Sequence, residues 1–159
     1  MKRLLAFGAA VAAATAFAHP AAGVQVQSPA FGGAAPGNPH VIAQTVWDSI
    51  YSGEQAARGE STYKSTCMKC HGETLAGTDS AVSLAGNDFV VNWDGLTLDQ
   101  LYDKILTTMP SDNPKSLPSN KVIDVLAFVL SKNNFPAGSA ALPDDVAVLK
   151  GIKFTKSKP

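Results

Sequence analysis

The two cysteines of the chain lie three positions apart and are followed directly by a histidine, in the run Cys67-Met68-Lys69-Cys70-His71. Two thiols one helical turn apart can form thioether bonds to two neighbouring vinyl groups of one porphyrin. The histidine that follows then lies beneath the iron. The spacing therefore indicates one covalently attached haem c, bound through Cys67 and Cys70, with His71 as the proximal ligand of the iron.

Other uses of the cysteine pair fit the sequence less well. A structural zinc ion needs four ligands, and the chain has no further cysteine, while His19 and His40 lie in a stretch rich in proline and glycine. A redox dithiol of the thioredoxin type needs a βαβ setting, and no useful strand alternation is present. A chance occurrence is the remaining alternative, and the export signal described below argues against it.

A second axial ligand on the far face of the haem would have to come from downstream. Of the three methionines, Met1 belongs to the leader and Met68 is confined within the attachment motif. Met109 precedes Pro110 in a proline-rich loop between two predicted helices. The alternative role for Met109 is to fill a gap in the core, as methionine usually does. Its uniqueness favours the role of iron ligand.

Capping signals and apolar spacing predict an all-α chain. Ser52-Gly53-Glu54-Gln55 has the form of a capping box at the start of a helix that runs to the cysteines. Thr97-Leu98-Asp99-Gln100 has the same form, and a loop-rich stretch at 72–95 precedes it. The predicted helices lie at 52–67, 97–109 and 119–132, with a short one at 142–150.

The N-terminal residues have the parts of a secretory signal peptide. The basic pair Lys2-Arg3 precedes an apolar run at 4–17, which ends in the small-residue cleavage pattern Ala-Phe-Ala. This run is shorter than the roughly 20 residues that a transmembrane helix needs. We therefore predict a signal peptide at 1–18, with cleavage as late as residue 22, and export to the periplasm or beyond.

Composition divides the rest of the chain into three parts. A flexible arm rich in alanine, glycine and proline is predicted at 19–45, a folded domain at 46–136 and a C-terminal extension at 137–159. Thirteen basic side chains balance thirteen acidic ones, and no basic stripe is present. Nucleic acid is therefore not expected as a partner. Membrane contact is expected to be transient at most.

The segment from about residue 46 to 138 resembles a class I cytochrome c, a family of small electron carriers with a single haem. The likeness covers over half of the chain. The residues that carry it are Gly59, Tyr63, the run 67–71 with Gly72, Leu84-Ala85-Gly86, Phe89, Trp93, Met109-Pro110, Leu126-Ala127-Phe128 and Asn133-Asn134-Phe135-Pro136.

The resemblance implies an all-α fold of about three to four helices wrapped around one covalently bound haem. The helix that ends at Cys67 would cross the helix from Ser119, with Gly59 allowing a close approach and Tyr63 beside Phe128. A proline carbonyl commonly orients the proximal imidazole in this family. The run Ala81-Val82-Ser83 stands there instead, which leaves open which carbonyl accepts the bond.

The resemblance also suggests the walls of the haem pocket. Trp93 would donate a hydrogen bond to a haem propionate, or would serve as ordinary core. Further residues are candidates for the apolar wall of the pocket, and each of them could equally be ordinary core: Leu84, Phe89, Leu101, Ile105 and Leu126.

The function implied is one-electron transfer in a periplasmic respiratory chain, without catalysis of its own. The donor would be a dehydrogenase, in line with a looser likeness to cytochromes that serve quinoprotein and other periplasmic dehydrogenases. The acceptor would be an oxidase or another cytochrome. Two alternatives stay open: a haem-binding subunit of a larger oxidoreductase, and a haem enzyme or gas sensor with a displaceable sixth ligand.

Overall fold

The computed structural model describes residues 44–159, and the statements below concern that part of the chain. The predicted signal peptide at 1–18 and most of the predicted arm at 19–45 lie outside the described residues. The elements in chain order are β1 (Gln44–Thr45), α1 (Gly53–Thr66), α2 (Met68–His71), α3 (Asn87–Trp93), α4 (Leu98–Thr108), α5 (Ser119–Lys132), α6 (Val146–Lys150) and β2 (Ile152–Lys153).

The all-α class I cytochrome c fold predicted from the sequence is confirmed, with two differences in detail. There are six helical segments in residues 44–159 rather than three to four, because single turns and short helices join the three long ones. A minimal parallel ladder also pairs β1 with β2, with Gln44 opposite Ile152. No helix in residues 44–159 combines the length and apolar character needed to span a bilayer.

Helices α1 and α5 pack together at Gly59, as expected. A Cβ atom added at Gly59 would lie 1.9 Å from the backbone oxygen of Asp124, so only glycine permits this approach. The rings of Tyr63 and Phe128 lie beside the contact with their centroids 5.2 Å apart. Arg58 of α1 also forms two hydrogen bonds of 3.0 Å to the buried Asp124 carboxylate. The two helices are therefore held by close packing and by a paired charge.

The two predicted capping boxes have different outcomes. At α1 the Ser52 hydroxyl accepts a hydrogen bond of 3.2 Å from the backbone N–H of Gln55, as predicted. At α4 the Thr97 hydroxyl instead donates to the Asp99 carboxylate and caps no backbone N–H. Helix α4 begins at Leu98 all the same, since it buries Leu98 completely against the core.

Two short helices differ from the sequence prediction. Helix α3 lies inside the stretch 72–95 that was predicted to be loop, and it is anchored by the buried Phe89. Its N-cap is Gly86, which offers no capping side chain, so no local signal marks its start. Helix α6 begins at Val146, later than predicted, because the Asp145 carboxylate accepts the N–H of Ala147 at 2.8 Å.

The C-terminal extension packs onto the domain through its apolar residues. Leu149, Ile152 and Phe154 are almost completely buried, whereas the lysines of this segment are exposed. The side-chain amide of Gln55 exchanges two hydrogen bonds with the backbone of Leu142, at 2.9 and 2.8 Å. Residues 142–154 therefore contribute to the same core as α1, α4 and α5.

Candidate haem site

The attachment motif lies at the end of α1. Cys67 follows the last residue of that helix, and α2 then makes a single turn, in which the N–H groups of Cys70 and His71 both donate to the Cys67 oxygen at 3.1 and 3.0 Å. Both thiols are free and half-buried. The turn therefore presents two thiols and an imidazole in the order that thioether attachment requires.

The environment of Cys67 is unfavourable for a thiolate. Burial raises the pKa of the Cys67 thiol to about 11, with the neighbouring Cys70 adding to the rise. Because the thiolate is the form that attacks disulfides and binds zinc, a thiol that stays protonated at neutral pH is poorly suited to either role. A thioether carries no charge, so attachment to a porphyrin is compatible with this apolar setting.

The structure identifies the hydrogen-bond partner of His71. The Nδ1 atom of His71 lies 2.8 Å from the backbone oxygen of Val82, and the imidazole is buried. A carbonyl oxygen can only accept, so Nδ1 carries the proton and Nε2 keeps the lone pair that an iron ion needs. The sequence had left the acceptor open among residues 81–83. It is Val82, a residue that is 76% exposed although its carbonyl oxygen faces the imidazole.

Three hydrogen bonds hold the loop after His71, one from helix α1 and two to the attachment turn. The Tyr63 hydroxyl donates to the Gly72 oxygen at 2.6 Å. The Gly77 N–H donates to the His71 oxygen at 3.0 Å, and the Thr78 hydroxyl donates to the Cys70 oxygen at 2.6 Å. These bonds satisfy carbonyls that a single helical turn leaves without partners. The position of the imidazole is thus fixed from both sides of the turn.

The Tyr63 bond predicts a dependence of stability on alkaline pH. Burial raises the pKa of Tyr63 to about 12. A pKa that is higher in the folded state favours folding fully below the unfolded value of about 10, and this contribution is lost as the pH rises towards 12. We expect the free energy of unfolding to fall over that range by up to about 1.4 kcal/mol per pH unit from this one group.

Tyr63→Phe should remove this contribution and lower the stability at pH 7 by about 1 kcal/mol through the lost hydrogen bond to Gly72. Chemical denaturation at pH 7 gives the stability difference, and a series from pH 9 to 12 gives the slope. The slope that remains should come from Tyr51 and Tyr102, whose pKa values burial also raises. Equal slopes in the wild type and in Tyr63→Phe would contradict the assignment.

Among the predicted pocket residues, Phe89 and Trp93 lie on α3 and Leu84 lies just before it, whereas Leu101 and Ile105 lie on α4 and Leu126 lies on α5. Phe89 is buried, and its ring centroid lies 6.2 Å from that of Trp93, which is half-buried. Leu84 packs against the same core, and its N–H donates to the Leu75 oxygen at 2.8 Å. One neighbour was missed by the sequence reasoning: Phe154 of the C-terminal extension lies 5.9 Å from Phe89 in an edge-to-face arrangement.

Met109 caps the C-terminal end of α4. Its N–H donates to the Ile105 oxygen at 3.1 Å, and its side chain is partly buried. The loop after it approaches the attachment motif, because the Lys69 Nζ lies 4.0 Å from an oxygen of Asp112. Both side chains are largely exposed, so the pair contributes little to stability. It does show that the loop containing Met109 and the attachment turn lie at the same side of the molecule.

Comparison with known families agrees with this geometry. A family model described as cytochrome c oxidase, cbb3-type, subunit III matches residues 54–129, a range that contains the attachment turn, the Val82 carbonyl and Met109. The chain is a class I c-type cytochrome. Among solved structures, this cytochrome is similar to a chain of the sulfane dehydrogenase SoxCD from Paracoccus pantotrophus, with 20% identity and a TM-score of 0.45. That match covers 78% of this chain and 68% of the other. No curated protein sequence matches.

The cytochrome therefore carries covalently bound haem c, and Cys67 and Cys70 fit the attachment motif of its family. The residues of the site fit this group on three points. The thiols are not joined in a disulfide, they lie on one turn, and the imidazole beside them keeps its Nε2 lone pair.

Proposed function

We propose that this cytochrome is a periplasmic carrier of single electrons, with His71 Nε2 and Met109 Sδ as the two axial ligands of its iron. That it is an electron-transfer haem protein follows from its family. The observation that carries the finer proposal is the hydrogen bond from His71 Nδ1 to the Val82 oxygen, which leaves Nε2 as the ligating nitrogen.

A bound haem c supplies a one-electron couple between ferric and ferrous iron. The chain determines how that couple behaves. The Val82 carbonyl fixes the imidazole tautomer, and the burial of His71 and Phe89 keeps water away and favours the less charged ferrous form. Ligation by Met109 would raise the potential further and close the last coordination position, so that electron exchange is the only reaction left.

The proposed partners are redox proteins: a dehydrogenase as donor, and an oxidase or another cytochrome as acceptor. Four exposed side chains of both signs surround the attachment turn, namely Lys69, Glu73, Asp79 and Asp112. Such a surface supports brief encounters whose rates fall with increasing salt. The predicted signal peptide at 1–18 supports the periplasmic location.

The addition of carbon monoxide to the reduced wild-type protein at neutral pH tests the proposal. We expect no rapid binding, together with a redox titration that follows a one-electron curve. Rapid and complete binding would show a displaceable sixth ligand, and would favour a gas sensor or a haem enzyme. Purification from the native host tests the other alternative, a haem-binding subunit of a larger oxidoreductase. Such a subunit would remain bound to a dehydrogenase.

A further inference from the structure

The side chain of Asn133 connects the end of α5 to the loop that lies over the proximal histidine. Asn133 is 8% exposed, and all of its hydrogen-bonding groups are directed into the protein. Its Nδ2 atom donates to the oxygens of Leu84 and Val129, at 2.9 and 2.8 Å. Its Oδ1 atom accepts from the N–H of Gly86 at 3.0 Å. A single carboxamide therefore holds both ends of the segment 84–86.

A role as a simple helix cap does not account for this pattern. The bond to Val129 stays at the end of α5, and the Val129 oxygen already accepts the backbone N–H of Asn133 at 3.2 Å, so this bond adds only a local contact at the helix end. The bonds to Leu84 and Gly86 instead reach a loop that lies 49 and 47 positions earlier in the chain. They fix a loop that has no regular structure of its own.

The segment 84–86 is held on a second side as well. The Leu84 N–H donates to the Leu75 oxygen at 2.8 Å, so Leu84 is bound through both of its backbone groups. Val82, whose carbonyl accepts the His71 proton, lies only two residues earlier. With its own side chain exposed, Val82 has little packing to hold it. Its carbonyl lies between Ala81, which exchanges two backbone hydrogen bonds with Thr78 at 2.9 and 3.3 Å, and the anchored segment 84–86.

We propose that Asn133 is a positioning residue for the iron ligand: by clamping 84–86 it holds the Val82 carbonyl against His71 Nδ1. The hydrogen bond on the outer nitrogen of a ligating imidazole sets the orientation of the ring and its strength as a donor. Asn133 therefore acts on the haem iron through two intermediates, the loop and the imidazole, without contact with either iron or porphyrin. This inference rests on the proposed function, in which His71 ligates the iron.

The test uses a matched pair of substitutions in the holoprotein, Asn133→Asp and Asn134→Asp. Both exchange the same amide for the same carboxylate, but Asn134 is exposed and its φ of 63° suits aspartate as well as asparagine. Asn133→Asp keeps an acceptor for Gly86 and sets a second oxygen against the Leu84 and Val129 carbonyls. If the new carboxylate prevents folding, Asn133→Leu takes the place of Asn133→Asp, because leucine is uncharged and similar in size to asparagine.

The readout is the exchange rate of the His71 Nδ1 proton with solvent, followed by NMR in the reduced protein. We expect exchange about tenfold faster in Asn133→Asp and Asn133→Leu, because the Val82 carbonyl is then held less firmly and the one hydrogen bond that protects the His71 Nδ1 proton is weakened. Asn134→Asp should exchange at the wild-type rate. Leu149→Ala, which removes buried apolar surface from the C-terminal extension, should also leave the rate unchanged despite its lower stability.

Two results would overturn the inference: equal rates in all variants, or an equal acceleration in Leu149→Ala, which would show general loosening. The NMR spectrum of the wild-type protein distinguishes a failure of the positioning role of Asn133 from a failure of the proposed function. If His71 does not ligate the iron, its ring protons will lack the large shifts caused by an adjacent haem. If the shifts are present and Asn133→Asp changes nothing, only the positioning role fails.

Discussion

Replacing Met109 with alanine should lower the midpoint potential and allow the reduced protein to bind carbon monoxide. A thioether ligand favours ferrous iron, and its loss leaves water or no ligand in the sixth position. Axial ligands set haem potentials over a range of roughly 0.8 V, and we expect a decrease of about 0.1 V or more within that range. A spectro-electrochemical titration gives the potential, and absorbance after addition of carbon monoxide reports access to the iron.

Met68→Leu is the matched control for this experiment. Met68 is the other methionine of the described residues, and it lies within the attachment turn, one residue after Cys67. Leucine has a similar volume and no sulfur, so the control removes a thioether without removing the proposed ligand. It should leave both the potential and the carbon monoxide response unchanged. If Met109→Ala has the spectrum of the wild type, another residue ligates the iron.

Local signals in the sequence were sufficient to predict the elements that carry the site. The cap at Ser52 and the apolar spacing of 119–132 depend on residues three or four positions apart, and both were found where predicted. The attachment motif is equally local, because two thiols and an imidazole within five residues define its chemistry. The need for glycine at Gly59 also followed, although from the resemblance to a family rather than from local pattern.

The contacts that position the imidazole depend on residues far apart in the chain, and the sequence did not predict them. The sequence marked Asn133 only as a residue at the end of a helix, since none of its neighbours in the chain indicates a hydrogen bond to a loop 49 positions earlier. The Val82 carbonyl is a backbone group, which any residue could have offered. Such hydrogen bonds depend on the complete fold, and single-sequence patterns do not record them.

The packing of the C-terminal extension onto the domain was also not predicted from the sequence. Its buried residues are divided between a loop, α6 and the short strand β2 with the residue after it, so no single period covers all of them. In the structure Phe154 completes a row of aromatic rings from Trp47 through Phe135, Phe154 and Phe89 to Trp93. The successive centroids lie 4.8, 5.1, 5.9 and 6.2 Å apart. The extension therefore supports the predicted wall of the haem pocket from behind.

The substitution Gly59→Ala should be the most destabilising single methyl addition in α1. The new Cβ would lie 1.9 Å from the Asp124 oxygen and 2.9 Å from the Cβ of Phe128. The first of these neighbours is backbone, so the clash cannot be relieved by a change of rotamer and the two helices must separate. Overpacking of a well-packed core costs typically 1–3 kcal/mol, and we expect about 3 kcal/mol or more here.

Gly53→Ala is the matched control, because Gly53 begins the same helix and a Cβ added there would meet nothing within 4 Å. Alanine is the better helix former, so this variant should be as stable as the wild type or slightly more stable. Denaturant unfolding of the two holoproteins gives the comparison. Equal stability of Gly59→Ala and Gly53→Ala would show that α1 and α5 do not approach this closely.

The effect of Gly59→Ala should extend to the haem. Helix α1 ends one residue before Cys67, and the Tyr63 hydroxyl on its last turns holds the loop after His71. Helix α5 is followed directly by Asn133, whose side chain holds segment 84–86 near the Val82 carbonyl. Separation of the two helices therefore pulls the imidazole and its hydrogen-bond acceptor apart, and the variant should also show faster exchange of the His71 Nδ1 proton.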